Sequence, residues 1–261
     1  MALLRGLSGV VLADLLDLVL PATCAGCDEP ARQALCGPCR EALAAARPGR
    51  TRPVPEPPGL PPVYALAAYA GSVRRMLIQY KERNRHELAP VLGGLLARVV
   101  LTAVTEPGPP GVVRSGAARG SSAAAGLGAA GGGGVVTLVP VPATSAAARR
   151  RFGDHIDRIA REASVALRRR GVDVGVAGLL RALPKREDSV ELSAAERARA
   201  AGSAFAVRGR RLTAGASTGR VVLVDDIITT GSTLAASAAR LAAAGVRVDR
   251  VAVLAATQRA T

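Results

Sequence analysis

The sequence predicts an α/β fold in which helices flank a parallel β-sheet and a small cysteine module precedes it. Two observations predict the sheet: residues 135–139 and 221–224 are continuous apolar runs, and segments with helical spacing separate such runs along the chain. Strands without polar alternation are covered on both faces, as in parallel sheets. The third observation is that all the cysteines lie between Cys24 and Cys39, which predicts a separate module.

The first 62 residues divide into three predicted segments. Residues 1–20 are expected to form an amphipathic helix, because apolar residues recur on one face while Asp14 and Asp17 interrupt the run. Those two acids, and the lack of a small-residue cleavage site, argue against a signal peptide and a membrane span. Residues 21–46 hold the cysteines, and the proline-rich segment 47–62 predicts an extended, stiff linker.

Two C-x-x-C pairs form the cysteine module. They supply four thiols with the reach to surround one metal ion, from Cys24, Cys27, Cys36 and Cys39. A structural zinc ion is the favoured interpretation, because four sulfur ligands leave no open coordination position. Two disulfides are one alternative, which a reducing compartment disfavours. A redox C-x-x-C pair is the other, and such a pair would not need a second copy.

The rest of the chain alternates between strands and helices, as a parallel sheet requires. Residues 63–104 are predicted to form a strand at 63–69 and helices at 73–80 and 88–100, ahead of the core domain. The Gly- and Ala-rich segment 105–134 is expected to be a disordered insertion. The main domain is predicted at 135–261, with a strand at 135–142, a helix ending near residue 167, a strand within 172–183, a polar segment at 184–203 and a last strand at 246–255.

The strongest signal is the stretch 221–234. A buried strand is followed by two carboxylates, Asp225 and Asp226, then by a small polar turn around Gly231 and a helix predicted at about 232–244. Ligands of parallel sheets collect outside the carboxyl ends of the strands, so these two acids stand where a ligand would meet them.

The loop that opens this helix suits a phosphate group. A helix N-terminus offers unpaired N–H groups and partial positive charge, hydroxyl side chains add donors, and a glycine lets the backbone approach. The loop consists of Thr229, Thr230, Gly231, Ser232 and Thr233. The preceding acids would repel a phosphate but can accept the hydroxyls of a vicinal diol, so the two features together describe ribose 5-phosphate. A Walker B segment also ends in acids, but no G-x-x-x-x-G-K-[ST] motif precedes this one.

Composition limits the other function classes. The formal net charge is +15, and only Lys81 and Lys185 among the basic residues are lysines. Both a solvated basic surface and a polyanion-binding face fit this charge, but three tyrosines and two phenylalanines are few for stacking on single strands.

Because His86 and His155 are the only histidines and no G-x-S-x-G occurs, a hydrolase triad is not supported. No later segment is both continuously apolar and free of charge over membrane-spanning length, so a cytoplasmic protein is expected.

The acid pair and its loop resemble the 5-phosphoribosyl-1-pyrophosphate (PRPP) motif of type I phosphoribosyltransferases. With the four cysteines, the Val-Pro-Val-Pro run at 139–142 and the basic segment 149–155, nearly the whole chain except the insertion resembles the ComF family. The resemblance implies a type I phosphoribosyltransferase-like parallel sheet, an amino-terminal zinc finger, and a role in bringing DNA into the cytosol during natural competence. It also implies that Asp225 and Asp226 hold the ribose as catalytic residues, while the loop holds the 5-phosphate.

The resemblance further implies a reaction, displacement of pyrophosphate from C1 of PRPP by a nitrogen nucleophile that the sequence does not identify. Mg²⁺ is expected to arrive with the pyrophosphate and to keep several waters. Lys81, or Lys185 with Arg186, would neutralise the pyrophosphate. Lys81 fits equally well as an exposed lysine at the end of a helix, with no functional role. The alternative is a non-catalytic adaptor that uses the zinc module and the arginines to bind PRPP, single-stranded DNA or DNA-processing proteins. Its DNA affinity would fall steeply with salt.

Overall fold

The structure is a computed structural model that describes residues 23–107, 134–143, 154–183, 205–208 and 219–257. The chain divides into two compact units, the first made of residues 1–46 and 70–88 and the second of residues 47–69 and 89–261. The helix predicted at 1–20, and all but the ends of the insertion predicted at 105–134, lie outside the described residues.

The described part of the first unit contains two α-helices, a short 3-10 helix at His86–Leu88 and the cysteine loops. Helix α1 spans Gly37–Ala45, with a proline in its first turn, and helix α2 spans Gly71–Glu82. A proline suits the first turn because its missing N–H has no intrahelical acceptor there. The buried residues of α2 recur at helical spacing, namely Val73, Met76, Leu77 and Tyr80. The helix that the sequence predicts at 73–80 is therefore confirmed, with two more residues at each end.

The second unit is organised around a six-stranded sheet of order β1-β2-β8-β7-β3-β4. Neighbouring strands of the sheet are parallel, except that β1 is antiparallel to β2. The mostly parallel α/β sheet that the sequence predicts is thereby confirmed. The strands of this sheet are β1 (Gly49–Thr51), β2 (Val63–Ala68), β3 (Val136–Pro140), β4 (Val174–Val176), β7 (Arg220–Ile228) and β8 (Arg250–Ala256).

Two short strands and three helices complete the described part of the second unit. Strands β5 (Leu180–Ala182) and β6 (Phe205–Val207) pair with each other, antiparallel. The region 172–183, where the sequence predicts one strand, thus contributes β4 to the large sheet and β5 to a separate pair. The helices are α3 (Ala89–Thr105), α4 (His155–Arg168) and α5 (Ser232–Ala243).

Helix α3 is a core helix that packs on α4, β2 and β8. It lies close to α4 at Gly93, where an added methyl group would lie 2.3 Å from Cβ of Glu162 and 2.9 Å from the backbone of Ala163. Glycine is therefore required at this crossing. By length and composition the stretch His86–Thr105 could span a membrane, with a mean hydropathy of 1.8, but 56% of that window is buried inside the protein. Such burial is typical of a helix in a protein core.

The core of the second unit lies on both faces of the sheet. On one face, Leu223 of β7 and Val253 of β8 belong to a cluster that also contains Leu234 and Leu241 of α5. Successive residues of a strand point to opposite faces. Val222 and Val224, which are as completely buried as Leu223, therefore face the other side. Strand β7 is thus covered on both sides, as its sequence predicts.

The segment 47–62 is more than the stiff linker that its prolines predict. Residues Gly49–Thr51 form β1 at the edge of the sheet, and Thr51 is buried. Leu60 belongs to the core cluster described above. The segment therefore packs as part of the second unit, because its few apolar residues find partners that lie far away in the sequence.

Candidate functional site

Asp225 and Asp226 lie at the carboxyl edge of the sheet, but within β7 rather than after it. The ladder between β7 and β3 ends at the pair Val224–Pro140, whereas the ladder with β8 continues to the pair Ile228–Ala256. The strand predicted to end at Val224 therefore continues for four residues, and that expectation is wrong. Because both acids belong to a regular strand, their side chains leave it in opposite directions.

Asp226 points to the face that α4 covers and is almost completely buried. Its exposed fraction is 4%, and that of His155 at the start of α4 is 8%. His155 Nε2 lies 2.7 Å from Asp226 Oδ2. Because an ionised carboxylate only accepts hydrogen bonds, the ring N–H is the donor. The structure thus joins two residues that are 71 positions apart in the chain.

The start of α4 holds His155 in place. The side chain of Asp154 caps the helix by accepting hydrogen bonds from the backbone N–H groups of Ile156 and Asp157. Ile156 and Ile159 are fully buried and anchor the first turns of the helix. Sequence reasoning missed the role of His155, although the Asp154 cap is a recognisable helix-start signal.

Asp225 is more exposed than its neighbour. Its side chain turns along the strand, where Oδ1 accepts a hydrogen bond of 2.8 Å from the backbone N–H of Asp226. The two acids that the sequence treats alike therefore occupy different environments. Asp225 is the partly exposed one, and Asp226 is the buried one bound to a histidine.

The turn after β7 presents hydroxyl groups to solvent. Thr229, Thr230 and Thr233 are exposed, and Ser232 is half-buried. Thr230 Oγ1 accepts a hydrogen bond of 3.4 Å from the N–H of Ser232 and lies 3.1 Å from the Ser232 hydroxyl. The first N–H groups of α5 have no acceptor within the helix, so this turn has the donors that a phosphate needs. The helix predicted at about 232–244 is confirmed to within one residue.

Gly231 is the left-handed cap residue of α5, with φ of 74°. It is buried beneath the proline-rich segment: an added methyl group would lie 3.1 Å from Pro53 Cγ and Leu60 Cδ2 and 3.3 Å from Pro57 Cγ. Two independent constraints, the backbone angle and the space, therefore require glycine here. The proline-rich segment covers one side of the turn and leaves the threonines on its other side exposed.

Replacing Gly231 with alanine is expected to destabilise the protein more than replacing Gly245. Both glycines have positive φ, which costs a residue with a side chain about 1–2 kcal/mol. Gly245, which ends α5 at φ of 81°, has open space around it, whereas an alanine at Gly231 must also displace packed atoms at a cost of about 1–3 kcal/mol. Urea unfolding of both variants measures the difference. Equal free energies of unfolding would show that the proline-rich segment does not pack on this turn.

Three further residues are predicted to bind the pyrophosphate, namely Lys81, Lys185 and Arg186. Lys81 lies in the last turn of α2, in the first unit, so its role stays a prediction. Lys185 and Arg186 lie outside the described residues.

The four cysteines form a second site, in the first unit. Their Sγ atoms all lie within 4.8 Å of one another, and those of Cys27 and Cys36 are 3.6 Å apart. Sulfurs about 2.3 Å from a tetrahedral Zn²⁺ would be about 3.8 Å from each other. No pair is bonded as a disulfide. The geometry therefore fits a four-thiolate metal site, as predicted for Cys24, Cys27, Cys36 and Cys39.

Backbone donors and burial act in opposite directions on two of these thiols. Burial disfavours the thiolate of Cys24, but N–H groups of Cys36, Gly26 and Cys27 outweigh it and lower the pKa of Cys24 to about 6. Two of these contacts are hydrogen bonds of 3.3 Å to the sulfur, from Gly26 and Cys36. Burial, followed by the neighbouring sulfurs, raises the pKa of Cys39 to about 12. A cation in the cluster would favour the thiolate at each position.

Helix α2 supports the cysteine loops through contacts far apart in sequence. Gln79 Nε2 donates to Asp28 Oδ1 at 3.0 Å, and Arg85, just after the helix, donates to the carbonyl of Thr23 at 2.7 Å. Ser72 Oγ lies 3.9 Å from Cys39 Sγ. The metal site and α2 therefore form one structural unit, although more than thirty residues separate Cys39 from Ser72.

Comparison with known proteins gives a family match for the part of the chain that carries the acid pair. A search of the curated proteins found no match. Residues 151–261 match the family model described as the phosphoribosyl transferase domain. The match includes α4 with His155, β7 with both acids, the threonine-rich turn and α5. The carboxyl-terminal part of this chain is therefore similar to phosphoribosyl transferase domains.

Proposed function

We propose that the protein binds PRPP through the carboxyl end of β7 and the turn after it, and that it transfers the phosphoribosyl group. The observation that carries this proposal is the arrangement of an acid pair and an exposed threonine-rich turn at the start of a twelve-residue helix, within the segment similar to phosphoribosyl transferase domains. Asp225 and Asp226 lie on the ribose side of the site. Thr229, Thr230, Gly231, Ser232 and Thr233 bind the 5-phosphate.

The turn supports this assignment through its charge and its donors. A phosphate bound there meets the positive end of α5 and the hydroxyl groups of three exposed threonines. The acids precede the turn on the strand, and a carboxylate accepts a sugar hydroxyl while it repels a phosphate. Ribose 5-phosphate satisfies both requirements with one molecule.

The proposed reaction breaks the bond between C1 of the ribose and the pyrophosphate oxygen and forms a bond from C1 to a nitrogen of the acceptor. Pyrophosphate leaves with the electron pair, and the acceptor nitrogen loses a proton to solvent. Mg²⁺ carried by the pyrophosphate would neutralise its charge. Lys81 is the proposed protein cation for the same group, with Lys185 and Arg186 as further candidates.

Calorimetric titration of PRPP with Mg²⁺ tests the proposal. We expect one PRPP per chain and a loss of binding of about 10-fold or more in Thr230→Val, because a hydrogen bond to a charged phosphate contributes about 1.5–3 kcal/mol. Release of pyrophosphate with candidate nitrogen acceptors then separates an enzyme from a binding protein. Absence of PRPP binding to the folded wild-type protein would refute the proposed site.

We also propose that the cysteine site holds Zn²⁺ and that the protein is a cytoplasmic member of the ComF family. The support is the pairing of a four-cysteine cluster with a segment similar to phosphoribosyl transferase domains, which are the two parts that the ComF resemblance requires. An adaptor for DNA uptake is the alternative to an enzyme, and the net charge of +15 is compatible with it. That role predicts single-stranded DNA binding that weakens steeply with salt, and salt-independent or absent binding would exclude it.

A further inference from the structure

We propose that His155 is the positioning residue of the acid pair: it holds Asp226 as a buried anchor and leaves Asp225 as the acid that contacts the ribose hydroxyls. This inference rests on the proposed function and assigns different roles to the two acids. Asp226 then acts through Asp225 rather than on the ligand. The resemblance of the loop to the PRPP motif does not by itself assign a role to His155.

The first step of the argument is the rigidity of the pair. His155 stands on the capped and buried first turn of α4, and Asp226 stands on β7 where that strand still pairs with β8. The 2.7 Å contact therefore links two elements that are each held by the core. A side chain attached to such elements keeps its orientation without the help of a ligand.

The second step is the cost of disturbing Asp226. With an exposed fraction of 4%, its carboxylate depends on hydrogen bonds inside the protein. Loss of the His155 donor removes a hydrogen bond from this buried carboxylate, which favours the uptake of a proton or a turn of the side chain toward water. Both responses change the end of β7.

The third step connects Asp226 with the ligand-facing acid. The N–H of Asp226 donates to Asp225 Oδ1 at 2.8 Å, so the backbone at Asp226 orients the carboxylate of Asp225. The contacts therefore run from the ring of His155 to Asp226 and from Asp226 to Asp225. The threonine-rich turn has its own support, from the Gly231 cap and the proline-rich segment. Removal of the ring should thus impair diol recognition and spare phosphate binding.

The test compares two sugar phosphates that differ in the diol. Ribose 5-phosphate and 2-deoxyribose 5-phosphate are titrated into wild type, His155→Leu and His155→Gln, with inorganic phosphate as a probe of the turn alone. We expect the wild type to prefer the ribose compound by about 10-fold or more, since a hydrogen bond to a carboxylate contributes to that extent. The preference should fall below about 3-fold in His155→Leu and persist in His155→Gln, whose amide N–H reaches Asp226.

A spectroscopic measurement tests the contact without any ligand. The chain has two histidines, so the ring N–H signals in NMR spectra are assigned by His86→Gln and His155→Gln. A buried, hydrogen-bonded ring N–H exchanges slowly and should give a signal that shifts or disappears in Asp226→Asn. This measurement decides the question even if His155→Leu fails to fold.

The outcomes separate the inference from the proposed function. A full preference for the ribose compound in folded His155→Leu, or a His155 signal that Asp226→Asn leaves unchanged, would overturn the positioning role. If the wild type binds neither sugar phosphate while the His155 signal responds to Asp226→Asn, the contact stands and the PRPP site is wrong. Equal loss of inorganic phosphate binding in His155→Leu would show a general structural role in place of the proposed one.

Discussion

Replacing Cys27 with serine should abolish metal binding by the four-cysteine cluster and unfold the first unit. Serine keeps the size of the side chain but removes one of four soft ligands whose sulfurs lie within 4.8 Å. Removing a residue that only hydrogen-bonds to a metal ligand lowers the affinity for the metal by about 10–100-fold. Removing a ligand itself should lower that affinity further. Metal content by mass spectrometry should fall from about one ion per chain to near zero. A cluster that cannot bind an ion also loses the folding free energy that a structural metal supplies.

The consequence for structure should reach well beyond the cysteine loops. Since Gln79 and Arg85 hold the loop at Asp28 and Thr23, hydrogen exchange should accelerate in residues 71–82 as well as in residues 23–46. The sheet of the second unit should keep its protection. The matched control is Gln33→Ala, an exposed substitution between the two C-x-x-C pairs. Unchanged metal content in Cys27→Ser, or disulfides in protein purified without oxidant, would refute the four-thiolate site.

Replacing Asp225 with asparagine should weaken PRPP binding by about 10- to 100-fold, because a hydroxyl that donates to a carboxylate contributes about 1.5–3 kcal/mol. Asparagine keeps the Oδ1 that accepts the Asp226 N–H, so the free energy of unfolding should change little. Calorimetry with PRPP and Mg²⁺ measures the first effect, and urea unfolding measures the second.

Asp173→Asn is the matched control for this substitution. Asp173 is an exposed acid just before β4, at the amino edge of the same sheet, so the same loss of charge should leave PRPP affinity unchanged. An equal decrease in both variants would mean that net charge, not the diol contact, governs binding. Full affinity in Asp225→Asn would remove this residue from the site.

The strand and helix pattern around the site could be read from the sequence because it depends on neighbouring residues. The apolar run before Asp225 predicts a buried strand, and Gly245 predicts the end of α5, which the structure places two residues earlier, at Ala243. The close spacing of the cysteines likewise predicts their cluster, since short loops bring them together whatever the rest of the chain does.

Other features could not be read in this way because their partners lie far apart in the chain. The sequence predicts that β7 ends at Val224. Pairing with β8 extends the strand through Ile228. The proline-rich segment is predicted as a linker, yet Leu60 packs in the core and against Gly231. The local sequence of each segment does not reveal the distant residues with which it packs.

The sequence by itself determined the chemical groups available at each candidate site: four thiols, a pair of carboxylates, and a hydroxyl-rich helix start. Only the tertiary structure decided which acid is buried and which is accessible, and which helix supports the cysteine loops. The physical reason is that burial and hydrogen bonding are properties of surfaces brought together by folding. Asp225 and Asp226 are neighbours with the same side chain, and the helix that begins at His155 makes them different.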